Sequence, residues 1–520
     1  MPVGGLFAGM LYLGGDGKLW LWDIFNEIYN PGSTGPNYAS PLVPSAPLEQ
    51  GFALLVGKDT PARYLDKRGF RDITFRGAYP IAFVDYRDAE CPVGVRLEAF
   101  SPFIPLNVED SSLPATILRY TVHNESQEPV EVEFAGWIEN AVHLHTASMC
   151  RGQRRAKVAE HAHAVLVECD ALPEPVAISA EARPPIVIAN FDGGNYDGWT
   201  VEGEAFGAGP ATGAQGVEQN LDGFKGAGLV NSYQHSDEPT GRLLSPEFTI
   251  ERDYINFLVG GGNHPGETYA SAVLNFVTGN GAAKQATCIN LLVEDRVVRT
   301  ETGSDSDAMR AVSWGVRQYA GKTARIEILD QNTGGWGHID VDEIVQSDTP
   351  VADLGALEDQ HDHGTLALAV LEGVHNARAF TGLPVDAPLA AMFDTKESAE
   401  VSKPLDERYI NGILHRRSIA AGETAEFTFV VAWSFPNLKL PKELHGREYA
   451  KRFPRASDAV RYIAKHIDRL ARETRLWHDT WYDASLPYWF LDRTMANTST
   501  LATTTSYRLG DGSFYGFEGI

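Results

Sequence analysis

SLPATILRYTVHNESQEPVEVEFAGWIEN, residues 112–140, alternates apolar and polar side chains on both sides of a turn. Leu118, Tyr120 and Val122 share one face of the first run, and Val130, Val132 and Phe134 share one face of the second. Asn124-Glu125-Ser126 supplies turn chemistry between them. A period of two with β-branched and aromatic enrichment predicts antiparallel strands with one face buried and one wet. RDITFRGAYPIAFVDYR (71–87) and VGVRLEAFSPFIP (93–105) are written in the same style, so Phe52 to Val176 reads as one large β-sandwich.

That style is interrupted at Pro184-Pro185. IVIANFDGGNYDGWT, LLSPEFTI, YINFLVGGGNHPG and GGWGHIDVDEI are short strands between glycine-rich turns, enough for a jelly-roll sandwich over 186–348. The first style then returns in HGTLALAVLEG and RRSIAAGETAEFTFVVAWSFPN. The simplest organisation is a host sandwich over 1–185 and 349–445 with a guest domain in one loop, which close-set guest termini permit. From residue 446 the period changes to between three and four, with Val460, Ile463, Ile467, Leu470 and Leu476 on one stripe behind an Ala456-Ser457-Asp458 cap. Towards the C-terminus Trp489, Phe490, Met495 and Leu501 continue at helical spacing until Gly510-Asp511-Gly512 breaks it.

Totals narrow the function. Lys+Arg 44 against Asp+Glu 69 gives a net charge of −25, which repels nucleic-acid phosphates and anionic membranes. No apolar run reaches the length of a membrane span. Cys91, Cys150, Cys169 and Cys288 are far apart, which argues against a zinc site or a disulfide-dense scaffold and leaves buried free thiols, with a single bridge as the alternative. MPVGGLFAGM has no basic start or cleavage-like site, so a chain complete at Met1 reads as cytoplasmic; loss of a leader would make it secreted or periplasmic. Nothing in the sequence sets an oligomeric state.

Several residues carry candidate chemistry. Trp20 and Trp22 fall on one strand face, where core packing is a more frequent role than a sugar platform. His143 and His145 sit at strand spacing and read as ordinary polar residues. In the guest domain Trp199 and Trp314 read as core, whereas Trp336, flanked by Gly334, Gly335 and Gly337, suits a surface that stacks on sugar, as does Tyr233. Asp192 near the start of that domain and Asp340 or Asp342 near its end are candidate oxygen ligands for a structural calcium ion. Glu518 lies among Phe514, Tyr515 and Phe517; spacing alone makes it a surface residue, but a carboxylate rimmed by aromatics also suits glycoside chemistry.

The last forty-odd residues carry a resemblance. W-x-D-x-W-Y-D-x-x-L-P-Y-W-x-L-D-R from Trp477, N-x-S-x-L-A-T from Asn497 and D-G-x-F-Y-G-x-E-G from Asp511 resemble the opening of the catalytic domain of family 116 glycoside hydrolases, bacterial relatives of the non-lysosomal glucosylceramidase. P-V-G-G-x-x-A-G at the start and W-S-F-P-N at 433–437 resemble that family's N-terminal domain. Residues 186–348 instead resemble carbohydrate-binding-like sandwiches attached to bacterial polysaccharide hydrolases. The resemblance implies a mainly β chain leading into the first helices of an (α/α)6 barrel, a carbohydrate or glycoconjugate substrate, no cofactor for catalysis and retaining chemistry. It puts the nucleophile on Glu518, and Tyr515, an aromatic close to it in sequence, is a candidate to stack on the sugar. It also implies that the acid/base aspartate lies beyond residue 520, so this chain is expected to be inactive alone. A non-catalytic carbohydrate-binding or accessory protein is the alternative reading.

Overall fold

The computed structural model describes residues 1–26, 46–57, 60–147, 150–173, 183–264, 286–352, 355–371, 374–440, 443–503 and 506–516. The chain is mainly β and forms two compact units, residues 1–174 with 356–520, and residues 175–355.

In the first unit, the described residues form a nine-stranded antiparallel sheet. Its order is Glu400–Pro404, Gln153–His161, Ala164–Leu172, Thr365–Leu371, Thr424–Ser434, Ala115–Asn124, Val93–Phe100, Ile81–Arg87 and Asp72–Ala78. A five-stranded sheet of order Ala377–Pro384, Tyr409–Ile419, Val130–Glu139, Gln50–Val56 and Arg63–Tyr64 packs against it. The inward residues of the opening stretch build the seam. Tyr120 meets Phe134 at 4.7 Å between ring centroids, Phe134 stacks on Phe427 at 5.0 Å, and Phe52 meets Phe429 at 5.3 Å. Such aromatic pairs add roughly 0.5–1.5 kcal/mol each beyond the area they bury.

The expectation of one wet face fails in the centre of the large sheet. Thr365–Leu371 is buried at every position, and its outward Ala367 and Ala369 join Ile81, Phe83, Ile117, Leu166, Val430 and Ala432 in a second apolar layer. The 27-residue helix Ala456–Tyr482 covers that layer with Val460, Ile463, Ile467 and Leu470. Alanines on the sheet let the helix approach closely, so small residues mark its track. Its stripe then continues through Ala471, Thr474 and His478, while Leu476, expected on the stripe, is 67% exposed. The helix start is well satisfied: Asp458 accepts the Arg455 N–H at 3.0 Å, Thr365 Oγ1 the Ala456 N–H at 2.7 Å and Glu168 the Ser457 N–H at 2.9 Å.

Two other sequence readings change. Leu21 adopts φ 54°, which breaks the alternation of Leu19–Asp23, so Trp22 is buried in the core while Trp20 is half-buried beneath the Lys18 ammonium. In the short helix Tyr488–Thr494, Leu491 is the buried residue, with Met495 behind it; Trp489 and Phe490 are exposed.

The second unit is also a two-sheet sandwich. Ile186–Ala189, Ile339–Ser347, Tyr254–Gly261 and Ser306–Gly315 form one sheet, with Val230–Asn231 paired to Ile339–Ser347. Thr200–Gly203, Gly241–Leu244, Thr323–Asp330, Thr287–Val293 and Arg296–Glu301 form the other, with Phe248–Thr249 paired to Thr323–Asp330. Phe257, Ile289, Leu291, Trp314, Ile326, Ile328, Ile339 and Val341 fill the space between. The first and last strands of the unit pair with each other, Ile186 opposite Gln346, and Arg183 holds Asp348 through two hydrogen bonds of 2.7 and 2.6 Å. The ends of the unit therefore meet, and in sequence they lie between the neighbouring host strands Ala164–Leu172 and Thr365–Leu371.

Candidate functional site

In the first unit, the motif near the C-terminus folds as a hairpin, Ser506–Arg508 against Phe514–Gly516. Asp511 closes its turn: one carboxylate oxygen accepts both the Ser513 N–H at 2.8 Å and the Ser513 hydroxyl at 2.6 Å. These bonds hold the Asp511 carboxyl below its usual range, a structural role. Gly512 supplies the positive φ of 89° that the turn needs. Tyr507 is buried beside Leu438 and Leu509, and burial pushes its phenol up to about 12 although the Arg447 guanidinium lies 4.7 Å over its ring. Arg447 donates to Asn26 Oδ1 at 2.8 Å and to the Phe7 carbonyl at 3.3 Å, tying the hairpin to the start of the chain. Sequence reasoning passed over Arg447. Its only signal was a cation beside Gly446, at the junction of strand and helix patterns.

On the outer strand of this hairpin Tyr515 lies 6.3 Å from Tyr507 between ring centroids and is exposed, and Phe514 packs edge-on to Phe7 at 5.5 Å. Phe514 and Tyr515 are both exposed on this strand. Glu518, the expected nucleophile, lies outside the described residues, with Phe517. Asp483 and Asp492 are exposed, and Asp479 receives the His478 Nδ1 contact at 2.7 Å.

The histidines after Val130–Glu139 do not continue the strand. His143 has φ 57° and is fully buried, with Nε2 3.1 Å from His363 Nδ1 and Nδ1 2.9 Å from Thr146 Oγ1. Asp362, also fully buried, accepts the His145 and Thr146 N–H groups and the Thr146 hydroxyl. Burial pulls His143 down to about 4 against the opposing Asp362 charge. The His-x-His pairs at 143–145 and 361–363 were the sequence signal for this polar knot. All four cysteines are free and buried.

In the second unit the aromatic and acidic candidates group around His338. Its Nδ1 lies 2.7 Å from Asp237 Oδ1 and its Nε2 2.8 Å from Asp307 Oδ1. Burial opposes the charged imidazole, but these two carboxylates outweigh it and raise His338 above its ordinary range. Tyr233 and Trp336 contact the imidazole at 5.1 and 5.7 Å between ring centroids. Trp336 adopts φ 58° and is 39% exposed, whereas Trp314 is core and Trp199 packs partly buried against Phe191.

The bulge at Glu343, φ 52°, turns Ile344 into the core and leaves Asp340 and Asp342 on the face away from it. Burial pushes Asp340 up to about 7 and Asp342 up to about 6. Asp340 groups with Asp307 and His338: one ligand atom from each lies within 4.8 Å of the others. Asp192 is engaged elsewhere. Its Oδ1 accepts the Ala227 N–H at 2.5 Å and the Gly228 N–H at 3.2 Å, and its charge bears on Asp342. Asp237, Asp307 and His338 were absent from the candidates because they lie 31 to 101 positions apart.

Residues 1–190 match the family described as beta-glucosidase 2, glycosyl-hydrolase family 116 N-term. The match ends just after Ile186–Ala189, the first strand of the second unit. A chain of Aspergillus rugulosus, ecdE, which carries the provisional name glycosyl hydrolase, is 36% identical over 152 residues, 29% of this chain and 19% of that one. This chain thus matches less than a fifth of that relative's length. Among solved structures, a cyclase from Fischerella sp. is similar at 15% identity over 32% of this chain and 97% of its own, with a TM-score of 0.21. A cleaved adhesin domain of Lys-gingipain from Porphyromonas gingivalis is similar at 13% identity over 32% of this chain and 99% of its own, with a TM-score of 0.20. Over residues 1–190 the chain is accordingly similar to the N-terminal domain of glycosyl-hydrolase family 116.

Proposed function

We propose that this chain belongs to a retaining β-glycosidase of the β-glucosidase or glucosylceramidase type, acting on β-linked glucosides or related glycans. The observation that carries the reading is the family 116 match over residues 1–190. In this reading residues 446–520 open the catalytic domain. The exposed aromatics Tyr488, Trp489, Phe514 and Tyr515 support it, because exposed aromatic rings suit contact with further helices or a sugar ring. Glu518 is the nucleophile and attacks the anomeric carbon to form a glycosyl-enzyme. Water then releases the sugar with retention. The partner carboxyl must stand about 5 Å away to protonate the leaving oxygen. We assign that role to no residue of this chain, so residues 1–520 alone are expected not to turn over substrate.

Aryl β-glucoside and β-xyloside hydrolysis should be measured for this chain and for the product of the reading frame followed to its stop codon. Activity only in the longer product, abolished by Glu518→Gln, is expected. Absence of hydrolysis from both would sink the enzymatic reading in favour of an accessory protein. One feature favours that second reading: Trp336 is exposed beside Tyr233 and His338 in the second unit, an arrangement that suits glycan stacking. Glycan retention on an affinity gel, lost in Trp336→Ala, would support it.

A further inference from the structure

Asp340 sits at the centre of the second unit's least explained chemistry. It is fully buried, and among the described residues neither of its carboxylate oxygens has a hydrogen-bond partner. A buried carboxylate without partners costs several kcal/mol, so it is either held neutral by a proton or compensated by a ligand. The groups it faces are Asp307 and His338, both buried. A third acid, Asp237, is already on the far nitrogen of the imidazole.

We propose that Asp307, His338 and Asp340 form a binding site for a divalent transition ion of the zinc class. Three features support this choice of ligand. First, donor geometry: one atom from each side chain lies within 4.8 Å of the others, and ligands held at about 2.0–2.1 Å around a tetrahedral ion stand roughly 3.3 Å apart, so the three donors are grouped closely enough to converge on one ion. Second, His338 is already oriented. Its Nδ1 faces Asp237 at 2.7 Å, the carboxylate–histidine arrangement that fixes the tautomer and aims Nε2 at a metal. Nε2 lies 2.8 Å from Asp307 Oδ1, and an ion held by the two groups would take the place of any proton between them. Third, an imidazole with two carboxylates suits a borderline ion, whereas calcium prefers six to eight oxygens.

The site differs from a calcium site at Asp192 and Asp340, since Asp192 is engaged by the main chain of Ala227 and Gly228. It also stands whether or not the chain is part of a glycosidase. Its place beneath Tyr233 and Trp336 suggests a positioning role, since an ion fixing His338 would also fix the two rings that contact it.

The test uses the full chain, stripped with chelator and then titrated with zinc or with calcium, reading metal content by elemental analysis and heat of binding by calorimetry. One equivalent of zinc per chain, a raised Tm and weak or no calcium binding are expected. Asp340→Asn keeps shape and removes charge, and His338→Gln removes the nitrogen ligand; each should weaken the zinc site by at least tenfold and cancel the zinc-dependent Tm gain. Stoichiometric zinc that is unchanged in both variants would overturn the assignment, as would calcium uptake in preference to zinc. Failure of the parent chain to take up either ion would mean that Asp340 carries a proton and no ion.

Discussion

His415 is fully buried on Tyr409–Ile419, 5.3 Å from the Phe427 ring between centroids, and among the described residues neither ring nitrogen has a hydrogen-bond partner. Burial, with the Arg417 charge adding to it, pulls its pKa down to about 4. The unfolded chain binds that proton near pH 6.5, so stability is intact above this value and falls as pH drops from 6.5 towards 4. The loss from this residue should be on the order of 2 kcal/mol. Urea titrations at pH 7.5 and 4.5 check it: His415→Leu should narrow the gap between the two pH values, and an unchanged gap would refute the assignment. The sequence could not announce this residue. A histidine in GILHRRSI has polar neighbours, and its burial comes from pairing opposite Phe134 across to Val130–Glu139. Asp340 was legible as an acid near the end of its domain, but its partners Asp307 and His338 meet only because the strands fold back on each other.

Elements were more legible than contacts. The strands of 112–140 form where their alternation puts them, although Val130–Glu139 is buried on both faces from Val132 onward, and the long helix follows its stripe, because periodicity is a local property. What local pattern misses is what lies across an element. The outward alanines of TLALAVL read as wet until the helix Ala456–Tyr482 is laid over them, and Leu476 reads as buried until the stripe drifts towards Thr474 and His478. The two leucines make a paired prediction. Leu470→Ala should cost about 3 kcal/mol by opening a cavity in the second apolar layer, whereas Leu476→Ala should cost less than about 0.5 kcal/mol. Denaturant unfolding of both variants, followed by tryptophan fluorescence, decides it; equal costs would mean the helix is docked on a different face.

For the molecule as a whole, the sequence changes style at Pro184-Pro185, and the structure forms a second compact unit over 175–355. The second unit encloses its own core, and its terminal strands pair with Arg183 and Asp348 at the neck. Residues 183–352 produced alone should therefore melt cooperatively, and a chain with 183–348 replaced by a short Gly-Ser linker should keep cooperative unfolding of the host. Aggregation of both products would contradict the autonomy of the two cores. The chemistry was less legible. Glu518 rests on the motif that surrounds it, and its partner carboxyl on none of these residues. A slow fluorinated β-glucoside incubated with the product of the complete reading frame, followed by peptide mass spectrometry, would locate the nucleophile. We expect a glycosyl adduct on the peptide that contains Glu518, absent in Glu518→Gln; an adduct on another carboxylate, or turnover with inversion and no adduct, would contradict the proposed retaining mechanism.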